Sequence, residues 1–215
     1  MKQAVCLLIC VLFSNLLIAQ PEKVENEFKE SFSSKPKFEF KFDSRFSFLR
    51  NTEVKTTGIK IGLSFKRKFN VGLGINQLLI HSESEIIEQN DTIPVNLNYG
   101  YFSPYFEYVY FSSKKWEFNL STQIGIGEAS FEYTNAEGKK SKTDKTTLIS
   151  YEPAMLIDYK IIKWVGIGTG VGYRLILFKN GGIKENFSSP VYVIKLKVYL
   201  GAIVRSITGK EIPAE

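Results

Sequence analysis

From residue 37 to about residue 206, apolar and polar residues alternate with a period of two, in segments unusually long for a soluble sheet. Successive side chains of a strand point to opposite faces, so each such segment carries one apolar and one polar surface. The first segment, 37–49, places Phe38, Phe40, Phe42, Phe46 and Phe48 on one face. Lys37, Glu39, Lys41, Asp43 and Arg45 take the other. Seven more strands are read at about 56–66, 68–80, 93–111, 115–128, 146–160, 163–178 and 191–206. Each runs 11 residues or longer, whereas soluble strands average about 5–6 and a tilted strand of about 9–11 crosses a bilayer. In 93–111 Tyr and Phe occupy both faces, so the phase of that strand stays open.

The connections alternate in length. Those at 65–68, 112–115 and 160–163 are tight, and the segments near 81–92, 131–145 and 179–190 are long and polar. Tight turns make neighbouring strands antiparallel. Short turns at one end and long loops at the other are the layout of a transmembrane β-barrel. The expected fold is therefore all-β: an eight-stranded antiparallel transmembrane barrel with both of its ends on the short-turn side. An interior of that size has room only for side chains, and glycines on the polar faces of strands 2, 3 and 7 suit it. Lys41, Lys60, Glu117, Glu152, Asp158, Arg174, Lys195 and Lys197 are the expected lumen charges. Opposite charges there have to pair, because an isolated buried charge is expensive. Trp116 and Trp164, each just after a short turn, and Tyr173 are the expected interface aromatics.

Composition agrees once it is split by face. A mean hydropathy of −0.08 excludes a bundle of spanning helices. Aromatics at 14% argue against disorder. Residues 1–19 have the layout of a cleavable signal peptide: Lys2, an apolar run, then small Ala19. Both cysteines, Cys6 and Cys10, lie inside it, so the exported chain is expected to contain no disulfide and no thiolate ligand. Residues 20–36 read as a polar N-terminal arm, 37–207 as the barrel domain and 208–215 as a polar tail.

With the Ala19–Gln20 signal end, the eight alternating segments and the glycine-rich pieces GIKIGLSF, NVGLGINQ and WVGIGTGVGYRLILF, the sequence resembles the small outer-membrane β-barrels of Gram-negative bacteria, the OmpA-like and OmpX-like group. The resemblance covers about 37–207. It implies export to the outer membrane, contact with outer-membrane lipids and handling by the assembly machinery. Members of the group commonly end in a strand with a terminal aromatic; here the chain ends TGKEIPAE.

Chemistry is sparse. The single histidine, His81, stands beside Ser82, Glu83 and Glu85. A lipid hydrolase would need a base that reaches a nucleophile and a third group that orients it, yet adjacent strand residues point apart. Glu83, Glu85, Glu88 and Asp91 make an acidic stretch, read as solvated loop in preference to a cation site. No catalytic, metal or cofactor site is expected, and there is no phosphate-binding loop. The net charge of +6 is not assigned to nucleic acid, because the export signal removes that compartment. Lys139, Lys140, Lys142 and Lys145 in one long loop suit either anionic lipopolysaccharide and surface glycans or plain solvation. The leading expectation is a non-enzymatic, porin-like membrane protein with a structural or surface-interaction role exercised through external loops. A narrow channel for small or hydrophobic solutes, a membrane-embedded hydrolase using the His81 region, and a soluble secreted barrel or sandwich are the alternatives.

Overall fold

A computed structural model describes residues 21–49, 52–78, 83–88, 91–134, 140–142, 145–180 and 187–208. The amino-terminal segment read as a signal, and His81 and Ser82, lie outside them. The alternating segments form strands β1 (Lys37–Leu49), β2 (Thr52–Phe65), β3 (Phe69–Leu78), β5 (Asp91–Ser112), β6 (Trp116–Thr134), β8 (Thr146–Lys160), β9 (Val165–Asn180) and β10 (Ser189–Val198). Two short strands, β4 (Glu83–Glu88) and β7 (Lys140–Lys142), come from the long connections.

Hydrogen bonding runs β5-β3-β2-β1-β10-β9-β8-β6, and a β5–β6 pairing shuts the ring. All pairings are antiparallel. The first and last barrel strands meet over Phe40↔Val198 to Ser47↔Val191. Closure leaves no edge in the barrel, so every strand finds a partner for its peptide groups on both sides.

β5 and β6 are 22 and 19 residues long, roughly twice what a bilayer crossing needs. The surplus leaves the ring at the long-loop end. β3 pairs with β5 only from Gly100 onward, and β4 takes over that edge at Asp91–Asn96. β7 likewise pairs with Glu132–Thr134, beyond the reach of β8. A four-stranded ribbon, β4-β5-β6-β7, thus rises from one side of the barrel.

The phase left open for 93–111 is decided. Leu97, Tyr99, Tyr101, Ser103, Tyr105, Glu107 and Val109 point inward. A register shift between Val109 and Phe111 then leaves Tyr110 and Phe111 both exposed, as a bulge does.

Two departures concern the ends. The stretch read as the second half of strand 8 is not strand: β10 stops at Val198, and Leu200–Thr208 is a helix, α2. Val198 pairs with Val165, the first residue of β9, and with Phe40, close to the start of β1. With its neighbours ending, a continued strand would leave its peptide groups unpaired, whereas a helix bonds its own. The polar arm also contains a helix, α1 (Pro21–Phe32).

Candidate functional site: a filled interior and two unlike rims

The wall of the barrel is inverted relative to a soluble protein. Ile61, Ile75, Ile126, Met155, Val171 and Ile194 stand exposed around it, Ile75 at 72%. A continuous apolar surface of this size is not what a water-facing monomer shows.

The buried face carries the charge. Each of the eight charged residues singled out in the sequence lies buried inside the barrel, accompanied by Glu39, Asp43, Arg45 and Glu107. Among the described residues this makes six buried cations (Lys41, Arg45, Lys60, Arg174, Lys195, Lys197) against six buried carboxylates (Glu39, Asp43, Glu107, Glu117, Glu152, Asp158). They form two connected networks. Toward the long loops, Glu152 accepts from Arg174 Nε at 2.9 Å and also from Arg45. Arg45 continues to Asp43 at 2.9 Å, and Lys60 joins Asp43 at 2.7 Å and Gln123 at 2.7 Å. Toward the short turns, Lys195 meets Asp158 at 3.0 Å and Glu107 at 3.5 Å. Lys41 lies between Glu107 at 2.7 Å and Glu39 at 2.6 Å. Lys197 bridges Glu39 and Glu117, both at 3.3 Å, and Arg67 donates to Glu117 from the mouth. The Tyr105 ring sits between the two networks, 4.6 Å from Lys41 Nζ and 5.3 Å from Lys60 Nζ.

Glycines make room for this packing. Gly62 and Gly72 face each other across β2 and β3 with Tyr105 laid over both, and Gly168 lies under the Lys195–Asp158 pair. At the long-loop end the lining turns apolar: Val54, Leu78, Leu97, Tyr99, Tyr101, Ala129, Phe131, Leu148 and Phe187 pack into one cluster. A cavity of about 10 Å³ beside it, lined in part by Val54, Tyr99 and Arg174, has room for about one water. A larger depression of about 610 Å³ lies on the outer wall, over Thr122 and Pro153.

The rims differ. At the short-turn end Trp116 and Trp164 are exposed, together with Ile161 and Ile162. Tyr173 is exposed too, but it lies eight residues into β9, about 20 Å up a strand tilted by about 40°. It stands toward the opposite boundary of the apolar band. At the long-loop end Lys142 pairs with Glu132 at 2.6 Å and Lys145 with Glu128 at 2.6 Å. Two of the lysines expected to meet anionic surface sugars therefore already hold carboxylates. Lys140 begins β7, and Lys139 is outside the described residues. Glu83, Glu85 and Glu88 lie along β4, and Asp91 pairs with Glu88. Among the described residues no group of three His, Cys, Asp or Glu is placed to hold a metal.

Glu107 escaped the sequence reading because its strand had no assigned phase. The signal was present: it is the one charged residue between Asp91 and Lys114. A charge on a lipid-facing strand position is costly, so it alone turns the odd residues inward.

No family profile matches the chain, and no curated protein matches it in sequence. Solved structures do match it. Neisserial surface protein A superposes with a TM-score of 0.55 at 11% identity, over 77% of this chain and 97% of that one. Ail, the attachment invasion locus protein of Yersinia pestis, gives 0.47 at 10% identity, over 76% and 96%. The amino-terminal barrel domain of Pseudomonas aeruginosa OprF gives 0.42 at 8%, over 76% and 98%. The argument from likeness rests on the first of these and concerns the fold.

Proposed function

We propose that this chain is a non-enzymatic, non-conducting protein of the outer membrane of a Gram-negative bacterium, whose working surface is the β4–β7 ribbon raised on the long-loop side. The observation that carries the reading is the filled, charge-balanced interior beneath an apolar wall. The wall calls for lipid as solvent. Among the described residues the lumen is occupied by paired charged side chains and an apolar cluster, which supports placing the contact chemistry on what projects beyond the membrane. Outer-membrane lipids surround the wall, and the assembly machinery is the partner needed to insert it. Lipopolysaccharide is a reachable partner for the loop lysines, with the affinity reduced by the pairs that Lys142 and Lys145 already make.

Membrane fractionation combined with gel mobility before and after boiling tests this reading. We expect the protein in the outer-membrane fraction, with a heat-dependent shift in mobility. Aqueous partitioning without a shift would return the chain to the soluble secreted class. Discrete current steps in a planar bilayer would favour the narrow-channel alternative.

A further inference from the structure

The structure assigns a second membrane-contacting device to the short-turn end. We propose that α1 and α2 lie flat in the headgroup layer of the adjoining leaflet and seat the rim on anionic glycerophospholipid. This rests on the membrane reading of the barrel.

α1 is attached to the outside of the wall, not to the lumen. Phe32 stacks on Phe65 with ring centroids 4.3 Å apart, and Phe28 meets Phe69 edge-on at 5.3 Å. Its polar edge is tied to the first short turn. Glu27 accepts from Tyr108 Oη at 3.1 Å and pairs with Lys68 at 3.3 Å, and Glu30 pairs with Lys66. Hydrogen bonding and charge from the Lys66 ammonium hold the Glu30 carboxyl below its ordinary value. These contacts fix the roll of the helix about its axis. Val24, Phe28 and Phe32, spaced by four, still keep more than a third of their surface uncovered. They form a stripe that continues the apolar wall downward.

α2 repeats the arrangement at the end of β10. Tyr199 is anchored, its N–H donating to the Trp164 carbonyl at 2.9 Å. Leu200, Val204 and Ile207 then share one helical face, increasingly exposed to 81% at Ile207. A short helix with an apolar stripe on one side is the form that lies in a membrane surface. Between the helices the second and third short turns carry exposed Trp116, Ile161, Ile162 and Trp164 beside exposed Lys114, Lys115 and Lys163. That set suits the boundary between acyl chain and phosphate, and its positive sign selects an anionic headgroup.

Single-cysteine spin labels on the refolded barrel in phosphatidylethanolamine/phosphatidylglycerol vesicles test this. Val24→Cys and Val204→Cys sample the stripes, Asn26→Cys and Ser206→Cys the opposite faces, and Ile75→Cys the wall. The stripe labels are expected to be severalfold more accessible to oxygen, relative to a water-soluble nickel chelate, than the opposite-face labels. Stripe labels as water-accessible as those at 26 and 206, with lipid-accessible Ile75→Cys, would overturn the inference and leave the barrel reading standing. A water-accessible label at 75 would overturn the barrel reading instead. A readout free of substitution is amide exchange of residues 24–32 and 202–207 in the unsubstituted chain. It is expected to slow on transfer from detergent micelles to these vesicles, and less so in phosphatidylcholine alone. Unchanged exchange would count against the proposal.

Discussion

At the scale of single residues, the interior is a problem of pairing charge away from bulk solvent. Glu152 shows how tightly it is solved, since one carboxylate serves both Arg45 and Arg174, and Arg45 is shared in turn with Asp43. Glu152→Gln leaves two buried guanidinium groups undercompensated and is expected to lower the unfolding free energy by about 3–5 kcal/mol. The urea midpoint of the refolded protein in micelles reads the change. Lys145→Gln removes an exposed pair and should cost less than about 1 kcal/mol. Equal shifts would mean that the interior pairs behave like surface ones. The glycines are the complement of these long side chains. An added Cβ at Gly72 would lie 2.7 Å from Tyr105 Cε1 and 2.7 Å from Gly62 Cα, against backbone that cannot yield. Gly72→Ala is expected to destabilise the barrel by about 1–3 kcal/mol through overpacking, seen as a lower midpoint with an unchanged slope.

At the scale of elements, strand length separates scaffold from appendage. The β3–β5 ladder begins at Gln77↔Gly100 and owes nothing to β4. Replacing residues 83–94 by a Gly-Ser linker should therefore leave the unfolding midpoint within about 0.5 kcal/mol of the parent while abolishing any cell-surface binding that the ribbon supports. A large loss of stability would show that the ribbon is structural. The helices mark where reading by period fails. Leu200 and Val204 satisfy both a spacing of two and a spacing of four, so YLGAIVRSI continues a strand as readily as it begins a helix. In α1 the apolar stripe is only three residues among charged ones, too thin to signal a helix before the wall it leans on is known.

At the scale of the molecule, two layers of side chains occupy the lumen, the ion-pair networks and the apolar cluster toward the long loops. The unsubstituted protein is expected to be silent in planar-bilayer recording. The double variant Tyr99→Ala/Phe131→Ala opens only the upper closure and should be silent too. Adding Arg45→Ala and Glu152→Ala together removes a paired charge layer and should produce discrete conductance steps. Current from the double variant alone would show that the charge layer does not seal.

The sequence by itself determined the strand number, the antiparallel order, the two-faced wall and the polar identity of the interior. Each is a local consequence of the two-residue period and of where turns fall. The fold match to Neisserial surface protein A agrees with the barrel so derived. Tertiary structure decided what depends on neighbours. It set which carboxylate meets which cation across as much of the chain as separates Glu39 from Lys197. It placed Glu107 at the centre of a network, ended β10 where its partners end, and laid α1 on the outer wall. Alternation says only that a side chain points in or out. Ring closure, stagger and the reach of a lysine stem decide whom it finds there.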